Sequence, residues 1–128
     1  MARILKTISG LALVFSVGME MSTAFAAGNA ANGASLFNRC AVCHSAAKGG
    51  GNRVGPNLFG VVGRQAGSFA GYSYSSAMKA SGIVWSEGTL AKYLISPSTV
   101  VVGNKMTFGG LPQPQQAADV AAYLATLN

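Results

Sequence analysis

Cys40, Cys43 and His44 fall within five consecutive residues, Cys-Ala-Val-Cys-His. They are the only two cysteines and the only histidine of the 128-residue chain. Residues three apart lie on one side of a helical turn. Both thiols can then reach one edge of a flat macrocycle and add to its two vinyl groups. The imidazole that follows turns toward the centre of the ring. The pattern reads as a site for covalent haem attachment, with His44 as proximal iron ligand through its neutral imidazole. Three other readings compete. A redox disulfide between Cys40 and Cys43 calls for a βαβ setting, and the strand signals are missing. A structural zinc needs four ligands, and this group offers three. A chance match is the third, since only three of the five residues are fixed.

The second axial position must be filled from elsewhere. With one histidine in the chain, two histidines from the same chain are excluded. Methionine is the next ligand type, because His/Met coordination serves electron transfer and raises the potential. Beyond the first 26 residues only Met78 and Met106 remain. Met106 lies in Gly103-Asn104-Lys105-Met106-Thr107-Phe108-Gly109-Gly110, where flanking glycines let a side chain approach a flat ring. Met78 falls in a brief helical stretch, where core packing is the ordinary role. Position favours Met106. A buried gap-filling methionine, with water or an open site at the iron, is the alternative.

Elements that position these residues are short. Residues 30–38 read as a helix that runs directly into Cys40. Residues 74–81 read as a brief helix with Gly82 at its end. Ser86 is an N-cap candidate for a helix over 89–95, which Pro97 prevents from continuing far. Residues 115–127 form the closing helix, with Ala117, Val120, Ala121, Tyr123 and Leu124 on one stripe and Pro114 at its start. Lys48-Gly49-Gly50-Gly51-Asn52 cannot be a regular element. The expected fold class is all-α: three to five helices with long glycine-rich loops around one covalently attached haem. Such a chain loses much backbone entropy on ordering, and a buried haem supplies the missing apolar centre.

The N-terminus and the charge bound the setting. Arg3 and Lys6 precede an apolar run over 8–19, and Ala24-Phe25-Ala26 is a small-x-small cleavage signal. Residues 1–26 are expected to be a secretory signal peptide, leaving one domain over 27–128. The apolar run is short for a membrane span, so no membrane insertion is expected after cleavage. Export places the thiols in an oxidising compartment. The remaining domain carries seven basic residues against Glu87 and Asp119, a net +5 before any cofactor. No Lys/Arg run or nucleic-acid motif is present, so no nucleic acid is expected; steering toward an acidic protein partner fits better.

Beyond the attachment motif, the chain shows Gly55-Pro56-Asn57-Leu58, then Gly63-Arg64, Tyr74, Trp85, Tyr93-Leu94, Pro97 and Gly103-Asn104-Lys105-Met106-Thr107-Phe108. In this order and spacing the chain resembles the class I cytochromes c, the small soluble bacterial proteins similar to mitochondrial cytochrome c. The resemblance covers essentially all of 27–128. It implies Met106 as the axial sulfur ligand. It implies that the Pro56 carbonyl accepts the proton of the other His44 nitrogen, which fixes the tautomer. It implies that Arg64, Tyr74 and Trp85 donate to the inner haem propionate. It places Tyr93 near the methionine sulfur and Asn104 near a propionate. Gly33, Phe37, Val120 and Tyr123 match the crossing of the first and last helices. Two positions depart from the mitochondrial pattern. Asn104 stands where threonine is usual, and Met78 where asparagine is frequent.

The function so implied is a soluble, monomeric one-electron carrier of the bacterial periplasm, with one haem c and His44/Met106 axial ligation. It is not an enzyme. Its partners are membrane-bound or periplasmic redox proteins of a respiratory or photosynthetic chain, docked transiently at a haem edge ringed by Arg39, Arg53 and Lys105. Two rivals stand beside it. A peroxidase or gas sensor requires an open distal site, and the single histidine leaves none for that side. A fixed haem subunit of a larger oxidoreductase requires a large apolar surface patch.

Overall fold

A computed structural model describes residues 27–128. Within it run α1 (Ala30–Leu36), α2 (Ser76–Ala80), α3 (Glu87–Ile95), α4 (Pro97–Val100) and α5 (Pro114–Ala125). The expected leader, 1–26, lies outside the described residues. No strand forms among those described, only an isolated antiparallel bridge between Gln65 and Val84. The all-α expectation therefore holds. None of the described helices is long and apolar enough to cross a membrane.

Local chemistry sets the helix ends. The Asn29 side chain accepts from the Asn32 N–H at 3.0 Å and starts α1. After Leu36 the chain tightens into a 3₁₀ turn over Phe37–Arg39 and passes into the cysteine motif. Ser75 caps α2 by accepting from the Met78 N–H at 3.1 Å. Ser86 and Thr89 form a reciprocal capping box for α3, with N–H to oxygen distances of 3.1 and 2.8 Å. Pro97 ends α3 as expected, but it also opens the extra turn α4. At the first helical position proline's missing N–H costs nothing, so it is well placed there. Pro114 does the same for α5.

Packing centres on α5. It crosses α1 on one side and α3 on the other. Ala117, Val120, Ala121 and Leu124 are buried along it, the stripe that the sequence spacing predicts. Phe37 and Tyr123 meet across the α1–α5 crossing, ring centroids 5.2 Å apart. Gly33 is buried there, and a β-carbon at this position would run into the Asp119 carbonyl. The backbones thus touch where only glycine fits. Gly110, at φ 104°, makes a similar close approach to the Ile95 carbonyl, next to a Leu111-to-Leu94 backbone bond of 2.7 Å. That contact pins the loop after Met106 to the end of α3.

Asp119 fastens the start of the domain to its end. Its buried carboxylate accepts from the Asn29 N–H at 2.7 Å and from the Gln115 amide at 2.9 Å. The Asn29 bond first, then the Gln115 bond, hold its carboxyl below the ordinary value, against the opposing effect of burial. A lowered carboxyl in the folded state stabilises in full above the ordinary value of 3.8 and is lost as pH falls through the lowered one.

Two outcomes are expected. Gly33→Ala would add helix propensity of about 1 kcal/mol, but the blocked crossing costs more, so holoprotein stability in urea should fall by about 1–3 kcal/mol. Asp119→Asn should be less stable than the parent at neutral pH, with the gap closing as pH falls below the ordinary carboxyl value of 3.8; a constant gap across this acid titration would remove the charge argument.

Candidate functional site

Residues 40–44 form one helical turn. The His44 N–H bonds the Cys40 carbonyl at 2.9 Å and the Cys43 N–H bonds the same oxygen at 3.0 Å. This winding puts Cys40 and Cys43 on one side, as their spacing predicts. The turn is continuous with the 3₁₀ segment, because Cys40 and Ala41 both donate to the Phe37 carbonyl at 2.8 and 2.9 Å. Phe37 is buried against α5, so the α1–α5 crossing anchors the cysteines. Both thiols are free. Burial pushes the Cys40 thiol up, against the Arg39 charge.

His44 is aimed by the loop that follows. Its Nδ1 lies 2.7 Å from the Pro56 carbonyl oxygen. A carbonyl can only accept, so Nδ1 carries the proton and Nε2 keeps its lone pair. Burial pulls the imidazole below its ordinary value, with the Pro56 bond opposing, which favours the neutral ring a metal requires. Gly55 is buried against this ring; a β-carbon there would strike the imidazole. The loop is tied back to the motif by Gly55 N–H to Cys43 O at 2.9 Å and by Arg53 to Ala41 O at 2.8 Å.

These residues open onto a cavity of about 580 Å³. Cys40, Cys43, His44, Met78 and Met106 all line it. The remaining walls are largely apolar: Leu58, Leu90, Leu94 and Phe108, with Val120 and Leu124 of α5. Pockets of about 300–1,000 Å³ take cofactor-sized ligands. Two thiols on one side, a free imidazole nitrogen and apolar walls fit a large planar macrocycle with a metal at its centre. Zinc does not fit: no group of three or more His, Cys, Asp or Glu side chains capable of holding a metal converges among the described residues.

Every residue singled out from the sequence for this pocket lines it: Pro56, Arg64, Tyr74, Trp85, Tyr93, Asn104 and Met106. Their bonding is more specific than sequence could show. Arg64 donates to the Asn57 carbonyl at 2.9 Å and the Phe59 carbonyl at 2.6 Å, and lies 4.4 Å from the Phe69 ring centroid. Burial pulls its guanidinium down, and Tyr74 opposes this. Two of its five N–H donors hold backbone. Tyr74 accepts from the Phe69 N–H at 3.2 Å. Trp85 and Tyr93 pack at a tilt of 53° with centroids 5.1 Å apart, and burial pushes the Tyr93 phenol up to about 12, so it stays a neutral donor. Asn104 has a second task. Its carbonyl oxygen accepts from the Met106 N–H at 2.9 Å and its amide donates to Val101 O at 3.0 Å, which shapes the methionine loop. Of the three cations expected around the opening, Arg39 and Lys105 line it, and Arg53 braces the motif from outside.

Of the lining residues named, Leu90 and Tyr72 carried no sequence signal beyond hydrophobicity. Asn57 was legible only as part of a Gly-Pro-Asn-Leu run. The structure makes it a buried staple: its amide donates to the Ala47 and Gly50 carbonyls at 2.9 and 2.6 Å, and its oxygen accepts from the Phe59 N–H at 2.8 Å.

Comparison with known proteins agrees with the geometry. A family model described as "Cytochrome c" matches residues 30–128. The chain belongs to the cytochrome c family. It is 48% identical over 99 residues to a cytochrome c of Chlamydomonas reinhardtii, covering 77% of this chain and 88% of that one. It is 48% identical over 117 residues to a cytochrome c2 of Rhodomicrobium vannielii, covering 91% and 90%. The fold superposes on cytochrome cH from Methylobacterium extorquens with a TM-score of 0.71 at 42% identity, covering 77% of this chain and 99% of that structure. Cytochromes c bind covalently attached haem c and act as electron carriers that work with redox partners. This chain is therefore a haem-binding electron carrier.

Proposed function

We propose that this cytochrome c is an exported one-electron carrier with His/Met axial ligation. Cys40 and Cys43 form the two thioethers, His44 supplies the nitrogen ligand and Met106 the sulfur ligand. The observation that carries this is the convergence of the four residues on one cavity, with the His44 tautomer set by Pro56 at 2.7 Å. Haem, when bound, supplies a one-electron iron couple.

The chain's own residues do the rest. Pro56 and Gly55 hold the imidazole in one orientation and raise its basicity. Asn104 sets the backbone from which Met106 reaches inward. Arg64, Tyr74 and Trp85 supply donors for a buried propionate, and Tyr93 offers its phenol beside the sulfur. Apolar walls exclude water, so neither ligand faces a competing solvent molecule. With the sole histidine committed to iron and a methionine opposite, no open position is left for substrate chemistry, which supports a carrier over an enzyme.

Residues 1–26 act as a cleaved signal peptide on this reading, and 27–128 work as a monomer in the periplasm. The basic n-region, apolar run and small-residue site support it. So does the match to the cytochrome c2, which covers 91% of this chain and so extends into the first 26 residues. Partners are redox proteins of membrane or periplasm that dock briefly through acidic surfaces near Arg39 and Lys105.

Two outcomes test this. Expressed in a bacterium able to mature such proteins, the chain should appear in the periplasmic fraction with the mass of residues 27–128 plus one haem, and its pigment should stay attached through acid-acetone extraction. Extractable pigment or a retained leader would overturn the respective part. The ferric protein should show an iron–sulfur charge-transfer band that Met106→Leu abolishes and Met78→Leu leaves in place. The reverse pattern would make Met78 the ligand.

A further inference from the structure

Tyr72 is half-buried at the cavity wall, and the carrier reading assigns it nothing. Its hydroxyl donates to the Val54 carbonyl at 2.9 Å. The Lys105 ammonium lies 4.8 Å from the centroid of its ring. Tyr74 packs edge-on against it, centroids 4.8 Å apart at 76°, and fixes the direction of the ring.

Sequence neighbours give these contacts their meaning. Val54 directly precedes Gly55 and Pro56, which wall in and orient His44. Lys105 directly precedes Met106. Among the described residues, the hydrogen bonds of 104–108 run only to Val101 or within the loop itself. They shape the loop but do not attach it across the pocket. Tyr72 does: its hydroxyl holds the histidine segment while its face holds the lysine beside the methionine. Both contacts sit at the surface, where a single cation–π pair is weak. A hydrogen bond adds direction that the cation–π pair lacks.

We propose that Tyr72 is a positioning residue that clamps the Met106 loop to the His44 loop and slows departure of the sulfur from ferric iron. The proposal rests on the axial roles of His44 and Met106. It assigns Tyr72 no contact with the iron and no part in electron transfer itself. The physical content is loop opening. Sulfur can leave only when residues 104–108 swing outward, and the clamp must break first.

Imidazole displacement tests it on the ferric holoprotein. Imidazole is uncharged above neutral pH, so removing a lysine does not alter its approach. The readout is the rate at which the iron–sulfur charge-transfer band is lost at saturating imidazole. Tyr72→Phe removes the hydroxyl and keeps the ring face; its rate should rise about three- to tenfold, the factor one net hydrogen bond carries. Lys105→Gln keeps the stem and removes the cation; it should raise the rate by about twofold or more. Lys92→Gln, on the exposed side of α3, should match the parent. A parent-like rate in Tyr72→Phe overturns the clamp, and so does equal acceleration by Lys92→Gln. A parent protein with no such band overturns the axial reading and the clamp with it. A band present with unmoved rates overturns the clamp alone.

Discussion

One hydrogen bond governs the site: His44 Nδ1 to the Pro56 carbonyl, 2.7 Å long. It decides which nitrogen is free, and the direction of that nitrogen decides where a metal can lie. The bond exists because two segments twelve residues apart are forced together. Gly55 lets its backbone lie against the imidazole, and Arg53 ties the loop to the turn that carries the cysteines. Losing the loop would leave the ring free to rotate, and two well-placed thiols would hold a macrocycle with no fixed axial partner. The rest of the domain reads as support for this arrangement. The crossing of α1 and α5 anchors the turn from behind, and Asn57 and Arg64 bind the loops around it.

The apolar interior is organised around a space rather than around side chains. Trp85, Leu90, Tyr93 and Leu94 belong to the core, yet all four line the cavity. A void of about 580 Å³ with such walls is costly to leave without an apolar occupant, because the lining atoms lose their dispersion partners and cannot satisfy water. Haem fills that deficit. The cofactor is thus part of the hydrophobic core, and folding and cofactor retention are linked through the same contacts. This explains how a glycine-rich chain whose described residues form five short helices can hold one structure.

Polar side chains in the pocket divide their hydrogen bonds between backbone and interior. Arg64 spends two donors on loop carbonyls and Asn104 spends both ends of its amide on the methionine loop. Each therefore orders the chain whether or not it also meets a propionate. Such double use makes the site stiff. Stiffness suits an electron carrier, whose ligands must move little between oxidation states.

Sequence alone determined the attachment turn, the helical class and the stripe of α5, and it favoured Met106 over Met78 as a ligand. These rest on short-range rules: i, i+3 spacing, apolar periodicity, capping by Ser86 and the flanking glycines. It also marked Pro56, Arg64, Tyr74, Trp85, Tyr93 and Asn104 through their resemblance to a known pattern. Only the tertiary structure decided what those side chains bond to. Asn104 turning to its own loop, Arg64 to Asn57 and Phe59, and Tyr72 to Val54 are contacts across loops with no periodicity. Nothing local encodes which carbonyl lies within reach of a given donor. That depends on how segments far apart in the chain are brought together, which here is fixed by helix crossing at Gly33 and by the shape of the cavity the loops enclose.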